Sequence, residues 1–223
     1  QRVAAVRAVY GSDKTFASPI LMMCALGGLV PWRAVPPLPF ELSLTPRPLL
    51  GLARLGVVSY ALPALIAIGQ LIESRRPSPN PIARLVRRAA LSPSLRLLTR
   101  IQPPSGGFLE AVPLTAFVAM SLAAAGRAGH PVARSCATFL VRNARDDGSW
   151  PIEVSLCTWL TTMSVEALRH DAWRDDGVER WILSQQVMRQ HDYTGAAPGG
   201  WGWNDLPGSL PDADDTSGAL LAL

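Results

Sequence analysis

The stretch LLTRIQPPSGGF, residues 97–108, decides the fold because variants of it recur twice later in the chain. FLVRNARDDGSW occupies residues 139–150, and a longer copy runs from WILSQQ to GGWGW over residues 181–203. Each copy has a bulky apolar pair, then a polar turn, then glycine and an aromatic residue. Repeats spaced roughly 20–50 residues apart mark stacked structural units. This spacing predicts helix pairs stacked into a toroid or a solenoid.

The third copy of the repeat is longer than the others. Gln102 and Ala144 lie six places before the aromatic residue in the first two copies. Gln186 takes that place in the third, where a nine-residue insertion delays Trp201.

The segments that follow the three turns have the pattern of helices. They are VPLTAFVAMSLAAAG at 112–126, CTWLTTMSVEALRHDAW at 157–173 and TSGALLAL at 216–223. Strand signals are scarce, since no alternating run bounded by hairpin turns occurs. We therefore predict an all-α protein.

Composition limits the class of protein. The chain has 223 residues, of which 48% are hydrophobic and 17% charged, so a sizeable core is expected. Three cysteines are too few, and odd in number, for a disulfide scaffold, which favours a reduced cytosolic setting.

The basic residues do not indicate a nucleic-acid partner. Seven arginines and no acid lie between Arg75 and Arg100, but this stretch has no aromatic residue, and Lys14 is the one lysine of the chain. Nucleic-acid binders usually combine basic patches with lysines and aromatic residues that stack on bases.

Two uncharged stretches, residues 15–32 and 55–72, each reach the 18 residues that a short spanning helix needs. Both contain proline, and buried helices of a large helical core have the same pattern. We predict that both stretches belong to the core. The basic helix predicted after them, residues 82–100, fits either a solvated outer helix or one lying on an anionic membrane.

Asp212, Asp214 and Asp215 crowd three carboxylates between an aromatic, glycine-rich loop and an apolar run. Like charges this close raise one another's pKa values and share protons as a coupled system. An aspartate that caps a helix would explain Asp215 alone. The Asp-x-Asp-x-Thr pattern also occurs in phosphatases of the haloacid-dehalogenase type, where it should follow a hydrophobic strand. An EF-hand fails, because Leu223 stands where the loop needs glutamate.

The repeats and the acidic turn together resemble a known family. The Gln-turn-Gly-x-Trp units resemble the QW repeats of class II triterpene cyclases, and PDADDT, residues 211–216, resembles their catalytic Asp-x-Asp-Asp-Thr motif. YGSDKTFASPILMMCAL, VPPLPFEL, SGGFLEAVPLT and DGSWPIEVSLCTWLTTMSVEAL are similar to stretches of squalene–hopene cyclases. The similar stretches cover nearly the whole chain and follow one another in the same order as in the family.

This resemblance implies an internal segment of a longer enzyme built from two α/α barrels. Residues 1–149 would belong to the first barrel, and residues 150–223 would begin the second, which carries the acid. The remaining barrel helices would lie outside the chain, so we expect these 223 residues alone to be inactive.

The family reaction protonates a double bond of squalene and steers the cation through successive ring closures to a pentacyclic, hopene-type product. Asp214 matches the family's proton donor. Asp212 and Asp215 match its neighbours, which would orient the donor and hold the conjugate base. The resemblance implies neither a metal nor a cofactor.

The resemblance also implies roles for aromatic residues, because an aromatic face attracts a cation without donating a lone pair. Trp159, Trp203 and Tyr60 match residues that line the family's cavity and would bind the substrate. Trp150 and Trp201 match aromatic residues that stack on the repeat glutamine and tie helix ends together. Ala144 departs from that pattern, since it has no amide, and its turn is expected to be looser.

Squalene is the partner that the resemblance implies, with peripheral attachment at the cytoplasmic face of the membrane. It leaves open whether the protein forms a homodimer, which triterpene is made, and whether oxidosqualene is used. The rival interpretation is a non-catalytic helical-repeat protein whose aspartates only start a helix.

Overall fold

The computed structural model describes residues 2–10, 14–46, 62–169, 175–191 and 194–223. It is 64% helical and these residues form no strand, which confirms the all-α prediction. The helices are α1 (Arg2–Tyr10), α2 (Lys14–Leu26), α3 (Leu62–Arg75), α4 (Pro81–Ile101), α5 (Val112–Leu122), α6 (Pro131–Arg142), α7 (Cys157–Leu168), α8 (Asp176–Ser184) and α9 (Ala213–Ala222). Short 3-10 turns cover Trp32–Ala34, Phe40–Leu44 and Phe108–Glu110.

Side-chain caps start several of these helices. Asn80 accepts hydrogen bonds from two backbone N–H groups of the first turn of α4, and Pro81 follows it. Asp175 caps α8 in the same way, and Asp212 caps α9. A cap satisfies N–H groups that have no partner inside the helix, so these polar residues determine where each helix begins.

The three repeat turns share one backbone feature. Gly106, Gly148 and Gly199 each lie two residues before the repeat's aromatic residue, and their φ angles are 90°, 78° and 105°. Residues with a Cβ rarely adopt this left-handed conformation. At Gly106 a Cβ would also lie 2.6 Å from the carbonyl oxygen of Ser135. The glycine of the repeat is therefore required by the turn.

The repeat glutamines act within these turns. The Gln102 amide donates to the carbonyl oxygen of Gly106 at 2.9 Å, and the Gln186 amide donates to that of Gly199 at 2.7 Å. The nine-residue insertion of the third copy thus leaves the hydrogen bond between glutamine and glycine intact. Ala144 has no amide to make the corresponding bond.

The repeat tryptophans join each turn to the preceding helix. The Trp150 indole donates to the carbonyl oxygen of Leu140 in α6, and the Trp201 indole donates to that of Ile182 in α8. Each residue therefore ties the end of one helix to the turn that follows it, whereas stacking on the repeat glutamine stays a prediction. Trp150 is 50% exposed, whereas Trp201 is 2% exposed, so the copy that lacks glutamine is also the more open one. Closure of the helices into a toroid stays a prediction.

Two large clusters of buried side chains surround α3 and α5, and a smaller one joins α7, α8 and α9. Leu21 and Met22 of α2, and Ile66 and Ile68 of α3, are fully buried in or beside the large clusters. The described parts of the two uncharged stretches therefore supply core residues. Within the described ranges no helix is long and apolar enough to cross a bilayer.

The glycine-rich loop, residues 199–211, lies before α9 and links the clusters. Leu210 belongs to one large cluster, and Trp203 packs against it. Trp201 belongs to the small cluster, together with Ile182 and Ala219. The loop is thereby held on both sides. The division into barrels at residues 149 and 150 stays a prediction.

Candidate functional site

The acidic turn starts helix α9. Asp212 is the N-cap, and its side chain accepts a hydrogen bond from the backbone N–H of Asp215 at 2.8 Å. The backbone N–H of Asp212 donates to the carbonyl oxygen of Trp201 at 3.1 Å. Asp212 is therefore held through its carboxylate by the helix that it starts and through its backbone by the glycine-rich loop.

Two glycines let the loop lie against this turn. A Cβ at Gly200 would lie 2.8 Å from the hydroxyl oxygen of Thr216, and one at Gly202 would lie 2.4 Å from the carbonyl oxygen of Leu210. The Thr216 hydroxyl accepts a hydrogen bond from the backbone N–H of Trp201 at 3.0 Å. The threonine of the PDADDT motif thus fastens the loop to α9.

The three aspartates differ in exposure. Asp215 is 9% exposed, Asp212 is half-buried and Asp214 is exposed. The pKa of Asp215 is raised from 3.8 to about 7, first by burial and then by its hydrogen bond to Asp212 and the charges of Asp212 and Asp214. Near neutral pH, Asp215 can therefore keep its proton, hydrogen-bonded to Asp212 and next to Asp214.

A cleft of about 880 Å³ between α7 and α9 brings together five of the six predicted site residues. The three aspartates line it, and so do Trp159 and Trp203. The sixth residue, Tyr60, lies outside the described residues. The cleft therefore combines carboxyl groups with two indole rings, and the roles predicted for these residues stay predictions.

Apolar side chains form much of the remaining wall of the cleft. Trp159, Met163 and Leu221 line it and are 47%, 55% and 57% exposed. Contiguous exposed apolar surface of this kind usually marks a ligand or partner site. The cleft can accordingly accept a hydrophobic molecule.

Helices α7 and α9 pack closely along the cleft. A Cβ at Gly218 would lie 3.4 Å from the hydroxyl oxygen of Thr162, so a small residue suits this crossing. The Arg169 guanidinium, after α7, donates to the carbonyl oxygen of Leu221 and forms an ion pair with Glu166 at 3.2 Å. The bond from Arg169 to Leu221 joins the two helices at the end far from the acidic turn.

Sequence reasoning missed one acid of the cleft. Glu153 lines it, and burial raises the pKa of Glu153 to about 7, with a further contribution from the charge of Glu110. The hydrogen bond from the Trp203 indole acts in the opposite direction. The one available signal was a lone acid in the apolar stretch PIEVSLCTW, and that pattern does not show burial.

Glu110 lies behind Glu153 and is 1% exposed. Its carboxylate accepts hydrogen bonds from the Ser105 hydroxyl at 2.7 Å and from the backbone N–H of Gly208 at 3.1 Å. Burial raises the pKa of Glu110, and both hydrogen bonds oppose that change. Glu110 thereby connects the first repeat turn to the glycine-rich loop.

Among the described residues, no group of three His, Cys, Asp or Glu side chains is arranged to hold a metal ion.

A scan of the sequence against protein-family models found no matching family, and a search of curated proteins found no similar sequence.

Proposed function

We propose that this chain is the acid-bearing part of a class II terpene cyclase that converts squalene to a pentacyclic, hopene-type triterpene. The observation that carries the proposal is the cleft that the three aspartates share with Trp159 and Trp203. The resemblance of the repeats and of the PDADDT motif supports it. At about 880 Å³ the cleft also lies within the range of ligand pockets, roughly 300–1,000 Å³.

Asp214 is the proposed acid. Its carboxyl group transfers a proton to a carbon of a terminal double bond, and the electron pair of that bond forms the new C–H bond. A carboxylate remains on Asp214 and a tertiary cation on the substrate. An alkene is a feeble base, so the proton donor needs neighbours that keep protons available at neutral pH. The pair formed by Asp215 and Asp212 meets that need, since burial raises the pKa of Asp215 to about 7.

Trp159 and Trp203 are the proposed cation-stabilising residues, with Tyr60 as a third. Indole faces attract a cation within about 6 Å of the ring centroid and cannot trap it as a nucleophile would. Met163 and Leu221 line the same cleft and offer apolar surface that suits a hydrocarbon substrate.

Peripheral attachment to the cytoplasmic face of a membrane is part of the proposal, because squalene dissolves in lipid. Helix α4 supports it: Ile82, Leu85 and Val86 are 72%, 69% and 48% exposed. Arg84 and Arg88 are exposed beside them. Apolar side chains next to arginines suit the surface of an anionic bilayer.

A non-catalytic helical-repeat protein is the second candidate, and the cap formed by Asp212 favours it. A cap explains one carboxylate of the turn, but it does not require Asp214 or the two indoles in the same cleft. A phosphatase has less support, because α9 follows a loop and the described residues contain no strand.

The test is to incubate the full-length protein with detergent-dispersed squalene in D2O. The proposal predicts a cyclic product that carries one deuterium, because the first step adds a proton exchanged with solvent. A folded protein that leaves squalene unchanged, or a cyclic product without deuterium, would contradict the proposal.

A further inference from the structure

Glu153 and Trp203 bring two buried polar atoms into the wall of the cleft. The Oε2 atom of Glu153 and the Nε1 atom of Trp203 are both buried, and neither makes a hydrogen bond of ordinary distance and angle with a described residue. Even so, the indole N–H lies close enough to lower the pKa of the Glu153 carboxyl by hydrogen bonding. Neither atom has another partner among the described residues, so each is the natural partner of the other.

The backbone holds Glu153 in place. Ala111 and Glu153 form an isolated antiparallel bridge, with the N–H of Val112 donating to the carbonyl oxygen of Ile152 at 2.9 Å. The N–H of Val154 donates to the carbonyl oxygen of Glu110 at 3.3 Å. These bonds fix the segment that carries Glu153 to the start of α5.

Strained backbone lies next to this bridge. Leu109 and Glu110 have φ angles of 56° and 57°, a left-handed conformation that is unfavourable for residues with a Cβ. Such strain persists where the surroundings determine the conformation. Here the Glu110 carboxylate is held by Ser105 and Gly208, and its charge acts on Glu153.

We propose that Glu153 is a positioning residue for Trp203: its carboxylate accepts the indole N–H, fixes the orientation of the ring and strengthens its attraction for a cation in the cleft. A negative charge at the N–H edge polarises the indole and makes the potential over the ring face more negative. The choice of a carbocation as that cation rests on the proposed function, whereas the contact between carboxylate and indole does not.

The contact also depends on pH. The carboxylate accepts the N–H more strongly than the protonated acid does, and the pKa of Glu153 is about 7. The acids that face the same space are Glu110 from behind, and Glu166 and the three aspartates across the cleft. Of these, Glu110 raises the pKa of Glu153 through its charge, in addition to the effect of burial, so the indole environment should change near neutral pH.

The experiment is 19F NMR of the full-length protein labelled with 5-fluorotryptophan. Trp203→Phe identifies the Trp203 resonance by its disappearance. In the unmodified protein that resonance should shift with a midpoint near pH 7. Glu153→Gln should abolish the shift, whereas Glu166→Gln, which removes an exposed cleft acid paired with Arg169, should leave it. Circular dichroism checks that each variant is folded.

A second measurement tests the effect on cations. Dodecyltrimethylammonium below its micelle concentration, with dodecanol as the uncharged probe, should bind at the cleft. Glu153→Gln should weaken ammonium binding by about twofold to tenfold at pH 8, as expected for a weakened cation–π contact, and leave dodecanol binding unchanged. Should Glu153→Gln fail to fold, Glu153→Asp replaces it, and its shorter side chain should reduce the pH-dependent shift.

Several results would overturn the inference. In the NMR experiment, these are a Trp203 resonance that does not respond to pH, and a pH response that persists in Glu153→Gln or keeps its full size in Glu153→Asp. In the binding experiment, the contradicting result is that Glu153→Gln weakens ammonium binding and dodecanol binding equally. These outcomes are separable from the proposed function. A protein that cyclises squalene with an insensitive Trp203 resonance refutes only the role of Glu153. One that shows the predicted shifts without cyclising squalene refutes only the reaction.

Discussion

The backbone N–H of Trp159 donates a hydrogen bond to the backbone carbonyl oxygen of Trp203 at 3.2 Å. This bond fastens the first turn of α7 to the glycine-rich loop that precedes the acidic turn. The same loop is bonded to α9 through Trp201 and Thr216. The two indoles and the three carboxylates are therefore positioned by one connected set of backbone contacts.

The cap at the start of α9 gives a first prediction about stability. Asp212→Ala should lower the free energy of unfolding by about 1 kcal/mol, because the N–H of Asp215 loses its acceptor. Asp212→Asn should be nearly neutral, since asparagine caps equally well. Denaturant unfolding measures both variants. Equal losses would show that the Asp212 side chain does not act as a cap.

The repeat turn without glutamine gives a second prediction. Ala144→Gln should raise the free energy of unfolding by about 0.5–1 kcal/mol, because the new amide can donate to the carbonyl oxygen of Gly148 as Gln102 donates to that of Gly106. Ala144→Glu has a similar shape but no amide donor, so it should give no such gain. A glutamate variant as stable as the glutamine variant would contradict the proposed bond.

The buried acid of the trio predicts a dependence on pH. The pKa of Asp215 is raised to about 7 in the fold, from 3.8, so its ionisation opposes folding. The stability that the protonated form provides is present below pH 4 and is lost as the pH rises to 7. Asp215→Asn removes this loss. The thermal midpoint of the variant minus that of the unmodified protein should therefore increase as the pH rises from 4 to 8.

Asp146→Asn is the control for that titration, since Asp146 is exposed and lies outside the cleft. Its midpoint relative to the unmodified protein should not follow the change seen with Asp215→Asn. A constant difference between Asp215→Asn and the unmodified protein across this range would contradict the burial of Asp215.

The glycine-rich loop gives a prediction about packing. Gly202→Ala should destabilise the protein by about 1–3 kcal/mol, because the new Cβ would meet the carbonyl oxygen of Leu210 at 2.4 Å. Gly129→Ala is the matched control, as a Cβ there has no atom within 4 Å. Calorimetry should find a lower thermal midpoint for the first variant alone. Similar midpoints would mean that the loop does not lie against residues 209–211.

Much of the helical framework could be predicted from the chain, because its signals are local. The left-handed glycines fall at the same place in all three repeat turns, and Trp201 is the structural residue that the pattern implies. The turn at Ala144 lacks the glutamine amide, as its sequence shows, and its Trp150 is the more exposed repeat tryptophan. Each of these features depends on residues close together in the sequence.

The acids behind the indoles could not be predicted, because their environment arises from distant contacts. Gly208 donates to Glu110 across 98 positions of the chain. Burial likewise distinguishes Asp215 from Asp214, although the two are neighbours in the sequence. Spacing indicates which acids are crowded, but only packing shows which of them is desolvated.

The rate of squalene consumption by the full-length Asp214→Asn variant, beside an Asp205→Asn control, tests the central claim most directly. Asp205 is an exposed aspartate of the glycine-rich loop that precedes the acidic turn, and it lies outside that turn. With both variants folded, the account predicts that Asp214→Asn loses about 100-fold or more of the rate, whereas Asp205→Asn keeps it. Turnover by Asp214→Asn at the rate of the unmodified protein would contradict the account.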